Sequence, residues 1–152
     1  MAQYWLMKSE PDVYSIDTLK KEKTSLWDGV RNYQARNFMM KEMKVGDQVL
    51  FYHSNSKPPG VAGLATISKA AVPDPTQFDK KSKYYDPKSS EDNPRWHCVE
   101  VKYKKKFKTY IPLDEIKEKK GLEKMLLIKK GQRLSIQPVT KKEFDILTKM
   151  GE

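Results

Sequence analysis

The sequence predicts an α+β fold: a small twisted barrel of antiparallel strands with short helices over its openings. Three observations carry this expectation. Strand-like runs rich in aromatic and β-branched residues recur along the chain, with turn residues between them. The helical segments are short and open on capping residues. The 152 residues suffice for one domain with a real core, and no internal repeat or long linker divides them. Closing strands into a barrel hides their edges.

The elements follow in order. "QYWLMKS" (3–9) is aromatic and apolar and reads as a first strand, ended by Pro11. "SIDTLKKEK" (15–23) reads as a short helix with Ser15 as its N-cap. "TSLW" is extended, and Asp28-Gly29 turns the chain. From Arg31 to Met43 the pattern is helical, with Ala35, Phe38, Met39 and Met43 on one side. Gly46 turns into the strand "DQVLFYHS", and the loop "NSKPPG" leads to a second long strand over 61–72. Residues 73–94 are polar and rich in turn formers, and so long a loop inside a compact domain is often functional. "RWHCVEVKYKKKF" (95–107) is a third long strand, and Pro112 suits the start of a helix in "PLDEIKEKK". "QRLSIQPV" is a last strand, and Thr140 with Glu143 three residues later has the spacing of a capping box.

Composition narrows the function classes. Thirty Lys+Arg against 20 Asp+Glu leave a formal net charge of +10, which favours an anionic partner. Cys98 is the only cysteine, so no internal disulfide can form, which suits a reducing compartment. No apolar run approaches the roughly 20 residues of a membrane span, and the N-terminus lacks the layout of a signal peptide. We expect a monomer in the cytoplasm, associated with the nucleoid if bacterial and nuclear if eukaryotic. No membrane partner and no cofactor are expected.

The stretch "WDGVRNYQARNFMM" carries the strongest hint of function. On a helix Tyr33, Arg36, Asn37 and Met40 share a face, roughly opposite the Ala35/Phe38/Met39 side. An aromatic ring, a guanidinium and an amide suit the flat face, phosphate and polar edges of a nucleotide. The bland alternative has Tyr33 and Arg36 solvated and Asn32 or Asn37 capping a turn. Other candidates sit at strand ends: Lys8, Ser9 and Glu10 after the first, and Tyr52, His53, Ser54 and Asn55 after the second. Arg133 and Ser135, two apart, share one face of the last strand.

Taken together, "YWLMKSEP", "WDGVRNYQARNFM", "VGDQVLFYHSN", "PPGVAGLATI", "PDPTQFDKKSKYYDPKS", "PRWHCVEV" and "LSIQPV" resemble the EVE domain across the whole chain and in order. Lacking a long basic N-terminal extension, the chain resembles the stand-alone bacterial form. The resemblance implies a PUA-like fold, and a reader of modified bases in DNA, above all cytosine altered at the five position. It places Trp27 as one wall of an aromatic cage, Lys8 and Ser9 on its polar rim, and Tyr52, His53 and Ser54 around the same opening. Asn32, Tyr33 and Arg36 come with the matching motif. Tyr33, Tyr52 and Trp96 stay open as the second wall.

On that reading Asp28, Glu10 or a backbone carbonyl near them accepts from the cytosine amine, and Ser9, Asn32 or His53 serves the remaining edge or a polar substituent. Arg31, Arg36 and Arg133 hold flanking phosphates. Lys57, Lys80, Lys81 and Lys83 lie in loops able to widen the basic rim. A modified-RNA binder is the nearest alternative. An enzyme is further off. His53 and His97 lack companions at metal spacing, Cys98 reads as a packed residue, and no glycine-rich phosphate loop is present. Lys8, Glu10 and Asp28 are the one group suited to acid–base work.

Overall fold

A computed structural model describes residues 3–131 and 134–152. Arg133 lies outside the described residues. The described residues form six strands, β1 Tyr4–Ser9, β2 Thr24–Leu26, β3 Gln48–His53, β4 Gly60–Pro73, β5 His97–Pro112 and β6 Ile136–Val139. They make one sheet in the order β2-β5-β4-β3-β1-β6. Among the described residues four α-helices accompany them: α1 Ile16–Glu22, α2 Tyr33–Asn37, α3 Leu113–Glu118 and α4 Lys141–Gly151.

Two expectations need correction. The sheet is twisted but not closed, with β2 and β6 at its ends. It is also not wholly antiparallel, because β1 runs parallel to β3, in register from Tyr4 opposite Gln48 to Ser9 opposite His53. A parallel pair needs a long crossover. Here the crossover holds α1, β2 and α2, which is how the "WDGVRNY" stretch comes to the end of β1. Strands β4 and β5 pair over almost their whole length with several register shifts, each a bulge that bends the ribbon. The architecture is a PUA-like α+β fold.

Alternation along the strands divides the interior into two cores. Trp5, Met7, Val49 and Phe51 face one, together with Ala35, Met39 and Met43. Leu6, Leu50 and Tyr52 face the other, with Phe107, Ile111, Phe144 and Leu147.

Helix starts follow local chemistry. Ser15 Oγ accepts from the Thr18 amide at 3.1 Å, and the Ile16 amide at the same end donates to His53 Nε2 at 3.1 Å. Asn32 caps α2 by accepting from the Ala35 amide at 2.9 Å. The helix expected to run to Met43 stops being α-helical at Asn37. Phe38–Glu42 form a wider π-turn, closed by the Met43 amide on the Phe38 carbonyl at 2.8 Å. Thr140 and Glu143 form the reciprocal capping box of α4.

The loop between β4 and β5 is ordered by buried polar residues. Pro75–Phe78 form a 3-10 turn. Gln77 is fully buried; its amide donates to the Asp74 and Trp96 carbonyls, and its oxygen accepts from the Trp96 amide.

Candidate functional site

The end of β1, the turn after it, β2 and the strand-to-helix segment enclose a cleft of about 590 Å³. That volume falls within the roughly 300–1,000 Å³ of small-molecule sites. Leu26, Trp27, Val30, Tyr14 and Tyr84 supply apolar and aromatic lining; Ser9, Ser25, Asp28, Glu10, Lys8 and Lys83 supply polar groups.

Trp27 is half-buried. Its ring meets Phe51 edge-on at 5.5 Å, and its amide donates to the Val99 carbonyl at 2.8 Å. It is thus a cleft wall anchored to the core. Asp28 is exposed, yet its carboxyl is held above the ordinary range. The cleft walls strip part of its hydration, Asp74 adds like charge, and Arg31 opposes both. Burial draws the Lys8 ammonium below its usual value. Ser9 Oγ donates to the Tyr14 carbonyl at 2.6 Å. Glu10 is exposed, with Asn55 at 3.4 Å from its carboxylate. The Tyr14 hydroxyl donates to Glu22 at 2.6 Å and is pushed up to about 12, by burial first and then by Glu22.

The structure therefore brings Lys8, Ser9, Glu10, Trp27 and Asp28 to one cleft. It does not bring the other candidates there. Tyr52 lies in the opposite core with 3 % exposure, its hydroxyl pushed up to about 12 by burial. It occupies a strand position that alternation turns away from Phe51 and the cleft. His53 is engaged at the start of α1, and burial lowers its imidazole. Ser54 donates its amide to the Ser9 carbonyl, and Asn32 is a helix cap.

Tyr33 stands apart from the cleft, half-exposed and stacked on Trp96 at 4.9 Å. Trp96 itself is buried and donates from its indole nitrogen to Asp86 at 2.8 Å. Lys57 and Lys81 are exposed on loops and line no part of the cleft. Burial pushes the Cys98 thiol up to about 12, so it is a packed side chain rather than a nucleophile.

Arg31 does not present itself to a phosphate. Its Nε and Nη2 donate to the Tyr84 carbonyl, Nη2 also to Thr76 Oγ1, and Nη1 to the Val30 carbonyl and to Asp74 at 3.2 Å. All five N–H groups of a guanidinium are then engaged. Its partner Asp74 is almost fully buried and also accepts from the Gly29 amide and from Thr76. Arg31 thus clamps the long loop onto the "WDGVRNY" segment. Gly29 belongs to the same joint: its φ is +78°, and a Cβ there would lie 2.6 Å from the Tyr84 ring.

Sequence reasoning missed Tyr14 and Tyr84 as lining residues. The spacing "KSKYYDP" marks a polar loop and holds no sign that one of its tyrosines folds back on a glycine more than fifty residues earlier. Among the described residues no group of three His, Cys, Asp or Glu is placed to hold a metal ion.

The EVE domain matches residues 3–150. Thymocyte nuclear protein 1 of Homo sapiens is 46% identical over 170 aligned positions, spanning 100% of this chain and 75% of the human protein. The structure of a hypothetical protein from Leishmania major has a TM-score of 0.93 at 49% identity, covering 99% of this chain and 95% of the other. The crystal structure of human THYN1 protein in complex with 5-methylcytosine-containing DNA has a TM-score of 0.91 at 47% identity, covering 99% of this chain and 98% of that one.

Proposed function

This chain belongs to the EVE domain family, and from that premise we propose that it reads a cytosine modified at the five position in DNA. The base is taken out of the duplex into the cleft and stacked against Trp27, with Tyr84 as the second wall. The observation that carries this reading is the cleft itself. Three aromatic side chains, Tyr14, Trp27 and Tyr84, a rim carboxylate at Asp28 and the cation Lys83 line one concavity of a protein with net charge +10, and Lys8, its ammonium 5.9 Å from the Tyr52 ring, borders it. The likeness to human THYN1 protein solved with 5-methylcytosine-containing DNA supports the choice of ligand.

Extruding a base costs a few kcal/mol, and stacking it on an aromatic side chain returns roughly 1–3 kcal/mol. These nearly cancel, so edge contacts decide the balance. Asp28 accepts from the exocyclic amine. The apolar lining from Leu26 and Val30 is suited to a methyl group at the five position. No step alters the base.

The test is binding to oligonucleotides, DNA and RNA, single- and double-stranded, that differ only in one base modification. DNA with 5-methylcytosine should bind more tightly than its unmodified twin. Trp27→Ala should remove roughly 1–3 kcal/mol of that binding and leave nonspecific binding, which depends on phosphates, nearly unchanged. Melting is measured on the same variant, since loss of a purely core tryptophan would instead cost about 3–5 kcal/mol of stability. A variant that melts like wild type and still prefers the modified base would remove Trp27 from the cage. A preference for modified RNA would favour the RNA-binding alternative. A base found altered or excised by mass spectrometry would replace the reader with an enzyme.

A further inference from the structure

A second concavity of about 390 Å³ is lined by Arg36, Met40, Lys88, Asn93, Arg95 and His97, together with Pro94. A continuous pile of rings and guanidinium groups links it to the cleft. Arg31 lies 5.4 Å from the Tyr84 ring and 5.0 Å from the Trp96 ring. Trp96 stacks on Tyr33 at 4.9 Å, and Arg36 lies 4.7 Å from Tyr33. Tyr84 lines the cleft and Arg36 lines the second pocket, so the two sites sit at the ends of one rigid wall.

We propose that this second pocket holds a backbone phosphate of the same DNA strand whose modified base occupies the cleft; the inference rests on the reading of the cleft given above. Three cations line the pocket, Arg36, Lys88 and Arg95. Asp86 is the carboxylate paired with them, 3.9 Å from Arg95 and already accepting from Trp96; Glu91 and Asp92, on the same loop, are exposed to solvent. Positive charge is therefore in excess, and an anion relieves it. Arg36 directs one donor to the Arg95 carbonyl and two to Asn37 Oδ1, which leaves two N–H groups without a protein acceptor among the described residues.

His97 Nδ1 is buried and has no hydrogen-bond partner among the described residues. The His97 ring also lines the pocket, so its signals report on what enters it. A phosphodiester supplies several acceptor oxygens to a planar guanidinium fork and an ammonium at once, which is the geometry arginine recognises best. Burial and the neighbouring Arg36 hold the imidazole below its usual value.

The test uses the imidazole nitrogens of the intact protein followed by NMR. The chain has two histidines, and His53, engaged at the start of α1 and outside both concavities, is the internal reference. Three ligands are titrated: a duplex with one 5-methylcytosine, its unmodified twin, and inorganic phosphate. Both duplexes should move the His97 signals and leave those of His53 in place. Lys88→Gln and Arg95→Gln should each flatten the dependence of log K on log salt by about 0.9. They should weaken both duplexes by the same factor, so that the preference for the modified base is kept. Lys88 sits on an exposed loop, so its variant tests the pocket without disturbing the fold.

A His97 that stays silent while duplex binds, or a wild-type salt slope in both variants, would overturn the proposal. So would a loss of preference in those variants, which would make the pocket part of base reading. If neither duplex binds, the reading of the cleft fails by itself and the strand assignment goes with it. The phosphate titration then shows separately whether the pocket takes an anion at all, by a His97 shift that Arg95→Gln abolishes.

Discussion

Arg31 shows what a single side chain decides here. In sequence it stands among Arg31, Asn32, Tyr33 and Arg36 as a natural phosphate holder. In the fold its donors are engaged by Val30, Asp74, Thr76 and Tyr84. Arg31→Met should therefore act on stability rather than on affinity for phosphate. Removing one partner of a buried ion pair costs about 3–5 kcal/mol, and the low end applies because Asp74 keeps the Gly29 and Thr76 donors. The expected result is a lower melting temperature with an unchanged salt dependence of binding per folded molecule. A variant that melts like wild type but shows a flatter salt slope would return Arg31 to the phosphate contacts. Trp96 was a candidate cage wall, but it is buried beneath Tyr33 and fixed to Asp86, so no base reaches its face.

At the scale of elements, the start of α1 ties two parts of the crossover together. The Ile16 amide needs an acceptor, and His53 at the end of β3 supplies it through Nε2. That bond requires the nitrogen unprotonated. Burial holds the His53 pKa below its ordinary value, with Asp17 pulling it up and Lys106 pushing it down. The unfolded chain then takes up the proton first, near the usual value of about 6.5. The stabilisation is fully present above that pH and is lost as pH falls toward the folded-state value. His97 is shifted in the same direction and contributes to the same loss. His53→Gln keeps an acceptor oxygen and removes one titration, so its stability should fall less than that of wild type between pH 7 and pH 5. Equal pH profiles in denaturant unfolding would show that His53 carries none of the dependence.

The whole molecule is strongly basic, but its charge is not gathered in one place. Lys102, Lys104, Lys105, Lys106 and Lys108 crowd one stretch of β5, yet Lys106 pairs with Asp17 at 2.8 Å and Lys104 bonds Gln48 at 2.6 Å. Contacts confined to the cleft and the second pocket would engage about three phosphates. That gives a slope of log K against log salt of roughly −2 to −3, or about 40-fold weaker binding on going from 50 to 200 mM salt. A slope near −6 or steeper would mean that the β5 lysines also lie on the strand. The measurement thus separates a local reader from a protein that lies along its ligand.

The sequence by itself determined whatever depends on neighbours a few residues away. Ser15 and the Thr140/Glu143 pair set helix starts because a capping side chain reaches only two or three residues along the chain. Alternation in β1 and β3 sorted Trp5, Met7 and Phe51 from Leu6 and Leu50, because successive side chains must point to opposite faces. The placing of Lys8, Ser9, Glu10, Trp27 and Asp28 together came from likeness to a family, since nothing local joins the end of β1 to a turn some twenty residues later. Only the tertiary structure decided that β1 pairs in parallel with β3, that Arg31 clamps Asp74 and that Tyr84 lines the cleft. Each of these depends on which distant segment a side chain meets. A tyrosine or an arginine carries the same aromatic or hydrogen-bonding capacity to a core, a clamp or a ligand, and packing alone chooses among them.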